Sequence, residues 1–134
     1  MLPKEGRILA LDIGTRRTGV ALSDSKQRVA FLKPEIEHKT PEEAILQIEQ
    51  ICSEEDIKGI IAGVPLKLDG TETAQTHAVR EFIQHIKKIG LPIQEMDERL
   101  TSEFAKKNEG MNKKKNPVDS LSAQILLEYY LQSS

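Results

Sequence analysis

The stretch Ile8-Leu9-Ala10-Leu11-Asp12-Ile13-Gly14-Thr15-Arg16-Arg17-Thr18-Gly19-Val20-Ala21 decides how the rest of the chain is read. An apolar run carrying one carboxylate breaks into a polar turn bounded by glycine, and a second apolar run, ending at Ser23-Asp24, follows it. Apolar runs this short, with turn residues between them, predict two strands of a hairpin. A carboxylate inside a buried strand is costly unless its charge is paired or bound to a metal. Gly14 beside it has no side chain to obstruct a ligand. Asp12 is therefore expected to be a metal ligand at the rim of a sheet.

Working outward, Arg28 to Ile36 reads as a third strand, with Pro34 placing it at an edge. Thr40-Pro41-Glu42-Glu43 is a helix start, with a capping threonine, a proline at the first helical position and a glutamate that closes a capping box. Lys58 to Val64 is almost wholly apolar, as expected of a strand covered on both faces. A turn-rich loop through Pro65 to Thr71 leads to a helix with Val79, Phe82, Ile83 and Ile86 on its buried stripe, stopped by Gly90 and Pro92. Ile93 to Asp97 is a short strand, a further helix is expected to start near Thr101-Ser102-Glu103, and Asn116-Pro117-Val118-Asp119 opens the last one. The order β-β-β-α-β-α-β-α-α describes three antiparallel strands continued by parallel ones, an α/β mixed five-stranded sheet with helices on both faces.

The 134 residues suit a single domain, 1–134, that buries about two thirds of its unfolded surface. No apolar run approaches the roughly 20 residues of a membrane span, and no signal-peptide core is present, so a cytoplasmic protein with no membrane partner is expected. One cysteine, Cys52, excludes an internal disulfide and reads as a small core side chain. The net charge of −2 does not advertise nucleic-acid binding, but bases gather at Arg16-Arg17 and from Lys106-Lys107 to Lys113-Lys114-Lys115. The histidines His38, His77 and His85 have no metal-site spacing and read as surface residues.

Three sets of acids share an unusual placement: Asp12 on the first strand, Asp97-Glu98 closing the last strand, and Asp119 in the first turn of the last helix. Carboxylates converging in one cleft repel unless cations bind between them, and an all-oxygen site suits Mg²⁺ or Mn²⁺. Two such ions about 4 Å apart would activate a water and stabilise the leaving oxygen of a phosphodiester. Each acid also has a bland role: Asp119 as a helix-start acid, Asp97 or Glu98 as a solvated strand end paired with Arg99, Asp12 as a hydrogen-bonded core group.

Leu11 to Ala21, Gly63-Val64-Pro65-Leu66 with Asp69-Gly70-Thr71, Asp97 to Ser102, and Val118 to Leu127 together resemble the YqgF/RuvX family, in the family's order and over essentially the whole chain. The resemblance implies a ribonuclease-H-like (RNase H-like) fold and a bacterial cytosolic enzyme. Members are described as Holliday junction resolvases and as nucleases that process the precursor of small-subunit (16S) ribosomal RNA. It also implies that Asp12, Glu98 and Asp119 are the catalytic, metal-binding acids; between Asp97 and Glu98 the residues alone do not decide.

With that resemblance, Arg16, Arg17, Arg99 and Lys113, Lys114 and Lys115 are expected to hold phosphates, with Lys67 a weaker candidate. Five aromatic residues do not suggest a base-stacking platform, which favours recognition of backbone and shape in a structured RNA or a branched DNA. Ribosomal precursor particles are the implied larger partner, and a monomer or weak homodimer is expected. The main expectation is rRNA processing. The competitors are a junction resolvase, which needs a symmetric dimer, a non-catalytic nucleic-acid-binding or transcription-associated module, and a phosphotransferase, for whose second lobe the chain has no room.

Overall fold

The computed structural model describes residues 2–107 and 121–133. Five strands, β1 (Arg7–Ile13), β2 (Arg17–Ser23), β3 (Ala30–Glu37), β4 (Ile57–Val64) and β5 (Ile93–Asp97), form one sheet in the order β3-β2-β1-β4-β5. The β1-β2 and β2-β3 pairs are antiparallel, while β1-β4 and β4-β5 are parallel. The mixed sheet read from the sequence is thus the one observed.

Period-two alternation along β1 sorts its side chains between two layers. Leu9, Leu11 and Ile13 pack with residues of α1 (Pro41–Glu54) and α2 (Ala74–Ile86) on one face. Ile8 and Ala10 pack with Ala123, Leu126 and Leu127 of α4 (Leu121–Ser133) on the other. β4 divides in the same way, Ile60, Ala62 and Val64 to the first face and Ile61 to the second. Cys52 is buried in the first layer, as its apolar neighbours predict. Phe104 of α3 (Glu98–Lys107) meets Tyr129 of α4 edge-on, with ring centroids 5.7 Å apart.

Local signals explain most boundaries. Thr40 Oγ1 accepts the Glu43 amide at 3.2 Å with Pro41 at the first helical position, but the Glu43 carboxylate takes the Lys39 amide, one residue before the cap. Thr73 and Thr76 form a reciprocal capping box at the start of α2. Two boundaries differ from expectation. β3 begins at Ala30, because Asp24 Oδ1 accepts the amides of Arg28 and Val29 and folds both into the preceding turn. α3 begins at Glu98, directly after β5, because Asp97 Oδ1 accepts the Arg99 amide at 2.9 Å and serves as its cap. The start of the last helix at Asn116 lies outside the described residues.

Candidate active site

Asp12 follows Ile8 and Ala10 onto the α4 face of β1, where it is half-buried. Its neighbours across the strands leave it room: Gly19 is its partner on β2, and Gly63 lies one step past the Leu11-Ala62 pair on β4. The hairpin turn behind it is tight, since a Cβ on Gly14 would collide with the Arg17 carbonyl. The His38 amide secures that turn by donating to the Arg16 carbonyl at 2.9 Å.

Glu98 opens α3, and its carboxyl hydrogen-bonds with Asp12. Burial, then the Asp12 hydrogen bond, then the charges of Asp12 and Asp97 push Glu98 up to about 8. Its side chain lies in the space left by the missing side chain of Gly63: a Cβ there would sit 2.7 Å from Oε1 and 2.9 Å from Cγ. The structure therefore brings Asp12 and Glu98 together across β4.

Asp97 turns away from this pair. Its carboxylate receives the Arg99 guanidinium through Nε at 3.0–3.1 Å and Nη2 at 2.6 Å, and Arg99 holds it below the ordinary carboxylate range. Arg99 Nη1 donates to the Leu68 carbonyl at 3.2 Å, so the guanidinium braces the loop after β4. Arg16 and Arg17 line a cleft with Glu37, His38 and Lys39, and Arg17 is exposed and 3.5 Å from Glu35. Lys67 is exposed on the loop after β4. Asp119, Lys113, Lys114 and Lys115 lie outside the described residues.

His38 corrects an expectation. It is 5% exposed, its Nε2 lies 2.9 Å from Thr18 Oγ1, and its ring packs 6.0 Å from Phe82, so burial lowers its pKa. His77 is on the surface beside Glu72, as expected. Sequence reasoning also left Gly63 as one more strand residue; its signal was a glycine inside an otherwise apolar strand, which marks a close approach.

Asp12 and Glu98 would hold a divalent cation through their carboxylate oxygens, and its charge would offset the repulsion between them. The donor set is oxygen alone, which fits Mg²⁺ or Mn²⁺ rather than zinc. Among the described residues no cluster of three or more acids, histidines or cysteines is assembled.

The family model described as "RuvX: Holliday junction resolvase" matches residues 6–133. A protein of Chloroflexus aggregans with the name "Putative pre-16S rRNA nuclease" is 36% identical over 135 residues, which cover 96% of this chain and 95% of the relative. One of Maridesulfovibrio salexigens with the same name is 37% identical over 131 residues, with 93% and 97% covered. Among solved structures, Thermus thermophilus RuvC in complex with a Holliday junction substrate superposes with a TM-score of 0.65 at 9% identity, covering 95% of each chain. The Fowlpox virus resolvase bound to junction DNA gives 0.56 at 12% identity, with 95% and 97% covered. These two likenesses are of fold, the RNase H-like arrangement.

Proposed function

This chain belongs to the RuvX family and is a nuclease, and we propose that it processes the precursor of 16S ribosomal RNA with Asp12, Glu98 and Asp119 as its metal-binding catalytic acids. The observation that carries the site is the pairing of Asp12 with Glu98 over Gly63. The relatives' name supports the RNA substrate. A bound Mg²⁺ or Mn²⁺ supplies the Lewis acid and lowers the pKa of water for phosphodiester hydrolysis without a covalent enzyme intermediate. Asp12, fixed on the central strand, and Glu98, fixed at the strand-helix junction, hold oxygen ligands at a constant spacing. Arg16 and Arg17, at the same end of the sheet, contact substrate phosphates, and Lys67, Lys113, Lys114 and Lys115 are further phosphate-binding residues in this reading. Arg99 acts on the loop it braces.

The family's description supports a second reading, resolution of four-way DNA junctions, which requires two matched cuts by a symmetric pair of subunits. The RNA reading is consistent with a monomer or weak homodimer acting in the cytoplasm on precursor particles; no described helix is long and apolar enough to cross a membrane.

The test is cleavage of a 16S rRNA precursor and of a synthetic four-way junction side by side, with Mg²⁺ or Mn²⁺, with EDTA, and with Asp12→Asn. Metal-dependent cutting of the RNA, lost in the folded variant, is the expected result. Symmetric cutting of the junction alone would promote the second reading, and an unchanged rate in Asp12→Asn would overturn the site.

A further inference from the structure

Beside Glu98 lies a cleft of about 530 Å³ whose walls include Leu66, Leu68, Arg99 and Leu100. Leu68 is 93% exposed and Leu100 45% exposed, an apolar lip on a site otherwise made of charged groups. Leu68 stands almost wholly in water on a backbone that is braced. The Lys67 amide donates to the Thr71 carbonyl at 3.0 Å, the Gly70 amide to the Lys67 carbonyl at 2.8 Å, and the Thr71 amide to Asp69 Oδ1 at 2.8 Å. Gly70 sits at φ +89°, a conformation that favours glycine, with its open side toward the Arg99 guanidinium. Arg99, clamped by Asp97, then fixes the Leu68 carbonyl. Bracing of this kind removes the ordering cost that a mobile loop would incur on binding.

The occupant follows from what lies next to the lip. A phosphodiester held at Asp12 and Glu98 carries its own apolar body, the nucleobase of the adjoining nucleotide. Arg99 is paired with Asp97, and the other charged residues lining the cleft, Glu98 and Glu103, are acids, so the described wall offers a phosphate no free cation and suits a base face better. We propose that Leu68, flanked by Leu66 and Leu100, packs against an unpaired nucleobase next to the scissile phosphate, so that the enzyme selects strands with an unstacked nucleotide at the cut. Apolar side chains inserted at base steps have this effect in other nucleic-acid complexes. The inference rests on the nuclease reading of the Asp12-Glu98 cleft, and it makes Leu68 a specificity residue and Arg99 its positioning residue.

The experiment measures binding in EDTA, where no cutting occurs, to an RNA hairpin with one bulged fluorescent adenine analogue and to a hairpin with the analogue paired. The unmutated full chain is expected to prefer the bulge by roughly tenfold, as one buried leucine contact supplies, with a fluorescence change on binding. Leu68→Ser, its fold checked by thermal melting, is expected to lose most of that preference and the fluorescence change, and Leu68→Met to keep both. Equal binding of the two hairpins by the unmutated chain, or a preference retained by Leu68→Ser, overturns the proposal while the nuclease reading stands. Binding to neither hairpin overturns the proposal, while the metal-dependent cleavage assay decides the nuclease reading separately. A Leu68→Ser protein that keeps the preference but no longer holds ribosomal precursor particles would assign the lip to a protein partner and overturn the base contact.

Discussion

Gly63→Ala isolates what the space under Glu98 is for. The added methyl would sit 2.7 Å from Glu98 Oε1, 2.9 Å from Cγ and 3.2 Å from Cδ, against 3.4 Å or more for ordinary contact. The obstructing atoms belong to a side chain that can swing outward, so the strand keeps its place and the carboxyl retreats by about 0.7 Å. A misplacement of about 1 Å at a reacting centre costs on the order of a hundredfold, so a loss of roughly 20- to 30-fold in metal-dependent cleavage is expected. Stability should change by no more than about 1 kcal/mol, because the gain of alanine over glycine in a strand offsets the side-chain rearrangement. The assay pairs single-turnover cleavage with thermal melting. Glu98→Asp supplies the second arm of a cycle: its shorter side chain evades the methyl, so the loss on adding Gly63→Ala should be smaller in that background. Cleavage within about twofold of the parent, with the fold intact, would refute the claim that Gly63 sets the position of Glu98.

The remaining predictions concern the same frame. With Glu98 raised from 4.5 to about 8, the folded protein holds a proton that the unfolded chain releases, so in EDTA stability falls as pH rises through that window. Glu98→Gln should remove the fall and gain about 2 kcal/mol at its upper end after solvent screening, with Mg²⁺ narrowing the gap; superimposable denaturation curves across that pH range would dismiss the buried pair. Thr76→Val removes a buried hydroxyl that accepts the Thr73 amide at 2.9 Å and donates to the Pro65 carbonyl, so urea unfolding should show a loss of about 2 kcal/mol. Leu126→Ala, on the inner face of α4, should cost about 3 kcal/mol by the same measurement.

The sheet was legible because each strand wears its environment. β4 is apolar apart from Lys58 since helices cover both of its sides, and β1 admits one acid where Gly19 and Gly63 open a gap beside it. The choice between Asp97 and Glu98 was not legible from alternation, because the strand ends between them and a helix begins; the role of Asp97 as the cap of α3 is what sends Glu98 inward. His38 was misread because its surroundings come from afar, Thr18 on β2 and Phe82 on α2, and local polarity gives no hint of either. Asp12 stood out on burial chemistry alone. The bracing of the loop by Arg99 has no local signature, since an arginine beside an aspartate reads as a surface pair.

The position of β5 has a consequence for timing. It is a five-residue edge strand, joined among the described strands to β4 alone, and it delivers Glu98. The β1-β2-β3 meander closes through neighbouring segments and belongs to the fast, local part of folding, whereas the parallel β4-β5 ladder closes across a crossover that contains α2 and is expected later. During synthesis Asp12 emerges early and waits, and its pairing with Glu98 forms only when the last strand docks. β5 has no fully buried residue, which favours local opening at this edge. Each such opening carries Glu98 away from Asp12, so on the proposed assignment a chain that has not finished folding, or has begun to come apart, lacks part of its catalytic set.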